Sequence, residues 1–108
     1  MLTITTENRD SHLIILLTGR VDATNAKTLE EESLKLINDG NKQLIINLTE
    51  VNYVSSAALR VFLLMAKELT KVNGSIKLCG LSSTLRDVFD ISGFSKLFEI
   101  TATVEEAL

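Results

Sequence analysis

The chain has no proline, one cysteine, one histidine and no long hydrophobic run. Each absence closes off a class of protein. With no proline and no low-complexity stretch, nothing reads as a linker, and 108 residues suit one domain spanning 1–108. A lone Cys79 has no partner for an internal disulfide, which fits a reducing compartment, and no Cys/His spacing makes a zinc site. The longest uninterrupted apolar run, Val61–Ala66, is six residues, far short of a membrane span. The opening MLTITTENRD has neither a basic nor an apolar stretch, so no signal peptide is expected. Positive charge is not in excess: 11 Lys and Arg stand against 14 Asp and Glu, a net charge of −3. That balance leaves no electrostatic footprint for nucleic acid or an anionic membrane surface. The expectation is a cytoplasmic protein with no nucleic-acid partner and no membrane insertion.

Catalytic patterns are missing as well. No P-loop or G-x-G-x-x-G occurs; GRVD and CGLSS are single-glycine turns. No nucleophile elbow surrounds any serine, so His12 completes no recognisable triad. His12 reads as a solvated turn residue and Cys79 as a small buried apolar one. No cofactor or metal is called for, and the chain is expected not to be an enzyme. Glu30–Glu32 read as the solvated face of a helix, or else as an acidic patch for a basic partner.

What is present is apolar patterning. Hydrophobic residues make up 45% of the chain, enough for a core without disulfides or metals. Residues 2–7 alternate as a half-buried strand does, 7–12 form a polar turn, and 12–19 hold a continuous apolar run, Leu13–Leu17, of strand length. These two strands predict a hairpin. Residues 22–40 read as a helix capped by Thr24 or Asn25 and closed by Gly40. A second buried strand is expected over 42–48, a long helix from Ser55 to Asn73, and a strand over 75–80. A serine-capped helix follows over 82–93, then a short strand over 96–100 and a last helical turn over 103–108. The fold class is α/β: a mixed β-sheet, an opening hairpin then parallel βα units, packed with about four helices.

One stretch asks for more than a fold. In NYVSSAALRVFLLMAKEL (52–69), Ser55 and Ser56 stand side by side at a helix start. Capping the first turn explains one hydroxyl, at about 1 kcal/mol, and not two. At 100° steps Leu59, Phe62, Ala66 and Leu69 form the core face, with Ala58, Val61 and Met65 beside them. Arg60, Lys67 and Lys71 lie opposite, together with Ser56, Leu63 and Leu64. Two readings stand: a loop or neighbouring helix covers these leucines, or Ser56, Arg60, Leu63 and Leu64 form a docking surface. A phosphate on Ser56 suits a helix N-terminus, yet adds roughly −1.5 to −2 charges to that surface.

Three stretches together resemble STAS-domain proteins, and among them the bacterial anti-sigma factor antagonists. They are LTGRVDATNAKTLEE, LIINLTEVNYVSSAALRVFL and LRDVFDISGFSKLFEI, which span most of the chain. The family's regulatory motif reads Asp-Ser/Thr-Ser/Ala-Gly-Leu. Matched on Leu59, it puts the phosphorylatable residue at Ser56 ahead of Ser55, with Ser55 at the Asp position and Ala58 at the Gly position. The resemblance implies a partner, an anti-sigma factor with a GHKL-type serine kinase fold that uses ATP, and a PP2C-type phosphatase that restores the serine. The unphosphorylated form is then expected to bind the anti-sigma factor and free the sigma factor in a stress response. Asp22 matches the family's acidic turn residue and joins Ser55, Ser56, Arg60, Leu63 and Leu64 as an implied partner contact. The competing expectation is a cytoplasmic STAS subunit docked constitutively to a transporter complex, with Ser56 only a cap.

Overall fold

Residues 1–108 are all described by the structure, a computed structural model. Strand β1 (Leu2–Arg9) turns at Asp10 and Ser11 into β2 (His12–Val21), and the two pair antiparallel from Leu2 opposite Gly19 to Arg9 opposite His12. Both turn residues take positive φ, 51° and 68°, the mirror-image turn that matches strand twist. Then follow α1 (Ala26–Asn38), β3 (Gln43–Val54), α2 (Ser56–Thr70), β4 (Ser75–Cys79) and α3 (Ser83–Ser92). A 3-10 turn at Phe94–Lys96, β5 (Glu99–Thr101) and α4 (Val104–Ala107) complete the chain. Strands β2 to β5 pair in parallel, so one five-stranded sheet runs β1-β2-β3-β4-β5. This is the expected mixed α/β architecture. No helix is long and apolar enough to cross a membrane.

Strand alternation sorts the core into two layers. Leu13, Ile15 and Leu17 of β2 and Leu44, Ile46 and Leu48 of β3 face the three long helices. There they meet Leu29 of α1, Phe62 and Met65 of α2 and Phe89 of α3. Ile14, Ile45 and Cys79 point to the other face and are sealed by Ala107 of α4. The unbroken apolar runs thus reflect strands covered on both sides at their starts. Helix α4 is tied down by an Arg9–Glu105 ion pair at 3.3 Å and by the Lys77 ammonium donating to the Ala107 carbonyl at 2.8 Å.

Several element ends differ from the sequence expectation, and four of the differences have a local cause. Strand β2 runs past Gly19 to Val21, because Gly19, at φ +107°, admits the Met1 carbonyl where a Cβ would collide. Strand β3 spans 43–54 where 42–48 was expected. The register to β2 slips between Leu16–Asn47 and Thr18–Glu50, and Asn47 Oδ1 accepts from both the N–H and the hydroxyl of Thr49. The apolar run stops at this bulge, but the strand resumes with Val51 and Val54 buried. Helix α1 is capped by neither Thr24 nor Asn25: Asn25 holds the cap position, yet its side chain bonds elsewhere. Strand β5 covers 99–101 and not 96–100, since Gly93, at φ +81°, ends α3 and sends the chain into the 3-10 turn first.

Cys79 is fully buried, as its apolar reading anticipated. Burial, with the Glu105 charge adding to it, pushes its thiol from 9.0 up to about 11. A folded-state value above the unfolded one stabilises the fold below pH 9, and that contribution fades as pH rises towards 11. Urea melts across this window are expected to lose stability more steeply for the wild type than for Cys79→Ala. Equal slopes would show that the thiol titrates alike in both states.

Candidate functional site

The junctions at the C-terminal ends of β2 and β3 lie side by side. The Ser55 N–H donates to the Val21 carbonyl at 2.9 Å, which brings the start of α2 against the β2–α1 turn. That turn is braced internally. Asn25 Oδ1 accepts from the Asp22 N–H at 3.0 Å, and Asn25 Nδ2 donates to the Arg20 carbonyl at 2.9 Å. The half-buried Asp22 carboxylate accepts from the Thr24 hydroxyl at 2.5 Å and the Thr24 N–H at 3.0 Å. The hydroxyl first, then the N–H, then the Arg20 guanidinium at 3.8 Å hold its carboxyl below the usual carboxylate range, so it is charged at neutral pH.

The two serines divide their work. Ser55 is extended, at φ −92° and ψ 172°, and its hydroxyl accepts from the Ala58 N–H at 3.2 Å. It is the N-cap of α2. Ser56 is the first helical residue; its side chain is exposed and its hydroxyl is left uncommitted. Ser55→Ala is therefore expected to cost about 1 kcal/mol and Ser56→Ala less than about 0.5 kcal/mol in urea denaturation. The reverse order would make Ser56 the structural serine.

Arg60 lies four residues along, on the same exposed side, and has no ion-pair partner. The two leucines expected beside it part company. About 100° apart, they fall on opposite shoulders of the polar stripe. Leu63 is half-buried and packs against the main core, so the apolar stripe is wider on that side. Leu64 is half-buried in a groove between α1 and α2, whose walls include Ala23 of the turn before α1, Lys27 and Glu30 of α1, and Ala57 and Arg60 of α2.

Two residues escaped the sequence reading. The Arg20 guanidinium sits 4.4 Å from the Tyr53 ring centroid, and Tyr53 is 41% exposed. They are register partners on β2 and β3. Arg20 was hidden in a stretch read as a plain turn and Tyr53 in a stretch read as loop; an exposed aromatic three residues before a candidate serine was the available signal. The surface so assembled holds a hydroxyl, an unpaired guanidinium, a fixed carboxylate and a stacked Arg–Tyr pair around a short apolar groove. It holds no acid–base–nucleophile set.

A family model described as the STAS domain matches residues 3–107. The BtrV protein of Bordetella bronchiseptica, provisionally named an anti-sigma factor antagonist, is 39% identical over 104 residues, covering 96% of this chain and 90% of its own. The anti-sigma-B factor antagonist of Bacillus subtilis is 31% identical over 104 residues, covering 96% and 94%. A provisionally named anti-sigma factor antagonist of Thermotoga maritima has the same fold, with a TM-score of 0.92 at 18% identity, covering 96% of this chain and 90% of its own. The Bacillus cell fate determinant SpoIIAA, in its phosphorylated form, aligns with a TM-score of 0.74 at 26% identity, covering 97% and 96%.

Proposed function

The chain belongs to the STAS-domain family, and from that premise we propose that it is an anti-sigma factor antagonist switched at Ser56. The observation that carries the switch is the division of labour at the start of α2: Ser55 holds the cap, so the exposed Ser56 hydroxyl is free for chemistry. Relatives named as anti-sigma factor antagonists support the class, and SpoIIAA, described in unphosphorylated and phosphorylated forms, supports the kind of regulation.

The proposed partner is an anti-sigma factor with a GHKL-type serine kinase fold. It docks on Ser56, Arg60 and Leu64, with Asp22 at the margin; Ser55 and Leu63 support this surface from beneath. While Ser56 is unmodified the complex forms and the sigma factor is released. The partner transfers the γ-phosphoryl group of ATP to the Ser56 oxygen, which gives up its proton, and ADP leaves. The phosphate adds roughly −1.5 to −2 charges where the surfaces touch. The first turn of α2 tolerates that charge, so affinity falls while the fold stands. A PP2C-type phosphatase hydrolyses the ester and restores the hydroxyl.

Intact mass after incubation with the cognate anti-sigma factor and ATP tests the switch. The wild type and Ser55→Ala are expected to gain one phosphate and Ser56→Ala none. A phosphate that persists in Ser56→Ala moves the site elsewhere.

A further inference from the structure

The two edges of the sheet are built differently. At one, β5 is three residues long, carries the charged Glu99 and has α4 packed against it. At the other, β1 is eight residues long and follows β2 without a bulge. It contains no lysine and no proline, its two charged residues, Glu7 and Arg9, lie at the hairpin end, and Thr3–Thr6 is β-branched throughout. Such an edge offers a row of unpaired backbone donors and acceptors, a template for another strand. Helix α1 does not reach over it. Leu2, Ile4 and Leu36 are only half-buried, and two depressions run along the β1–α1 boundary, both bordered by Ile4 and Glu32.

We propose that this edge is a self-association surface, on which β1 pairs antiparallel with β1 of a second copy about a two-fold axis at Thr5. The charges on α1 argue for a second copy as the occupant. Glu32 and Lys35 are exposed and have no ion-pair partner within the chain. Helix α1 runs along β1 in the same direction: Leu2 shares a depression with Thr28, and Thr6 shares one with Lys35 and Leu36. Strand alternation admits only registers that keep helix-facing residues on one side. Centring the axis on Thr5 sets Ile4 against Thr6 of the second copy and brings each Glu32 level with the other Lys35. Centring it on Thr6 sets Lys35 level with Lys35. The charges therefore select the first register, and the patch is complementary to itself, as a two-fold interface requires. The half-buried Ile4 and Leu36 of both copies are covered in the same step.

The test uses the full chain. Sedimentation equilibrium from micromolar to millimolar concentration is expected to show a monomer–dimer equilibrium. Hydrogen exchange is expected to slow at β1 amides as the dimer forms. Glu32→Lys and Lys35→Glu each turn two attractive pairs repulsive and are expected to weaken dimerisation about tenfold. The double reversal, Glu32→Lys with Lys35→Glu, restores it. Both positions are exposed, so unchanged thermal melts will show that the variants are folded. A chain that stays monomeric at millimolar concentration overturns the proposal. So does a dimer indifferent to both single reversals, or one whose β1 amides exchange as fast as in the monomer.

Discussion

Ser56→Asp is expected to bind the anti-sigma factor at least about tenfold more weakly than the wild type, a loss of about 1.4 kcal/mol. Its melting temperature is expected to stay within about 3 °C of the wild type. The two expectations have separate causes. Binding falls because a carboxylate on the docking surface must shed water on contact and meets any acidic groups of the partner. Stability holds because Ser55, not Ser56, accepts the Ala58 N–H, so the cap is untouched. The new charge sits in the first turn of α2, where an anion gains about 0.3–1 kcal/mol, and Arg60 lies four residues along the same side. Ser56→Asn, similar in size and uncharged, separates bulk from charge. If Ser56→Asp and Ser56→Asn weaken binding equally, steric exclusion and not charge is the switch. Calorimetric titration of each variant, at low and high salt, reads the difference, and wild-type affinity for Ser56→Asp removes Ser56 from the interface.

Phe62→Ala is expected to cost about 3–5 kcal/mol in urea denaturation. Phe62 is inaccessible to solvent, and its ring stacks on Phe89 of α3 with centroids 6.4 Å apart. Truncation therefore opens a void between two helices and strands a second aromatic at its wall. For a chain of this size that loss is a large part of a total stability of about 5–15 kcal/mol. Phe62→Leu keeps most of the volume and is expected to cost less than about 1.5 kcal/mol. The pair matters for the proposed switch, because Phe62 anchors the helix that carries Ser56 and is itself none of the proposed partner contacts. At temperatures where the variant is still folded, Phe62→Leu is expected to accept phosphate as the wild type does. A drop below about 1 kcal/mol for Phe62→Ala would mean that α2 packs more loosely than the stacked pair indicates.

The parts of the fold that the sequence disclosed are those where one physical signal dominates. Leu13–Leu17 and Leu44–Ile46 are unbroken apolar runs because two faces of each strand are buried, and runs this short between turn signals suit a strand better than a helix. The serine N-caps of α2 and α3 were equally legible, since each side chain acts on the helix next to it. Signals that depend on distant residues were not. Beyond Asn47, β3 is held by pairing to the end of β2, and its exposed Asn52 and Tyr53 give no strand period. Asn25 looks like a cap from its neighbours alone, but the Arg20 carbonyl and the Asp22 N–H take both ends of its amide. The split between Leu63 and Leu64 follows from what α1 and the core cover, which a single helical wheel does not contain.

That amide clasp has a thermodynamic consequence for recognition. A surface loop that must be ordered on contact charges its conformational entropy against affinity. Here the turn between β2 and α1 is already closed on itself, and the Asp22 carboxylate already has its orientation from Thr24. The proposed partner would therefore meet this margin of the surface without having to order it. In the proposed complex no ordering of this turn precedes docking, so electrostatic steering and dissociation, rather than loop closure, are expected to set how quickly complexes exchange.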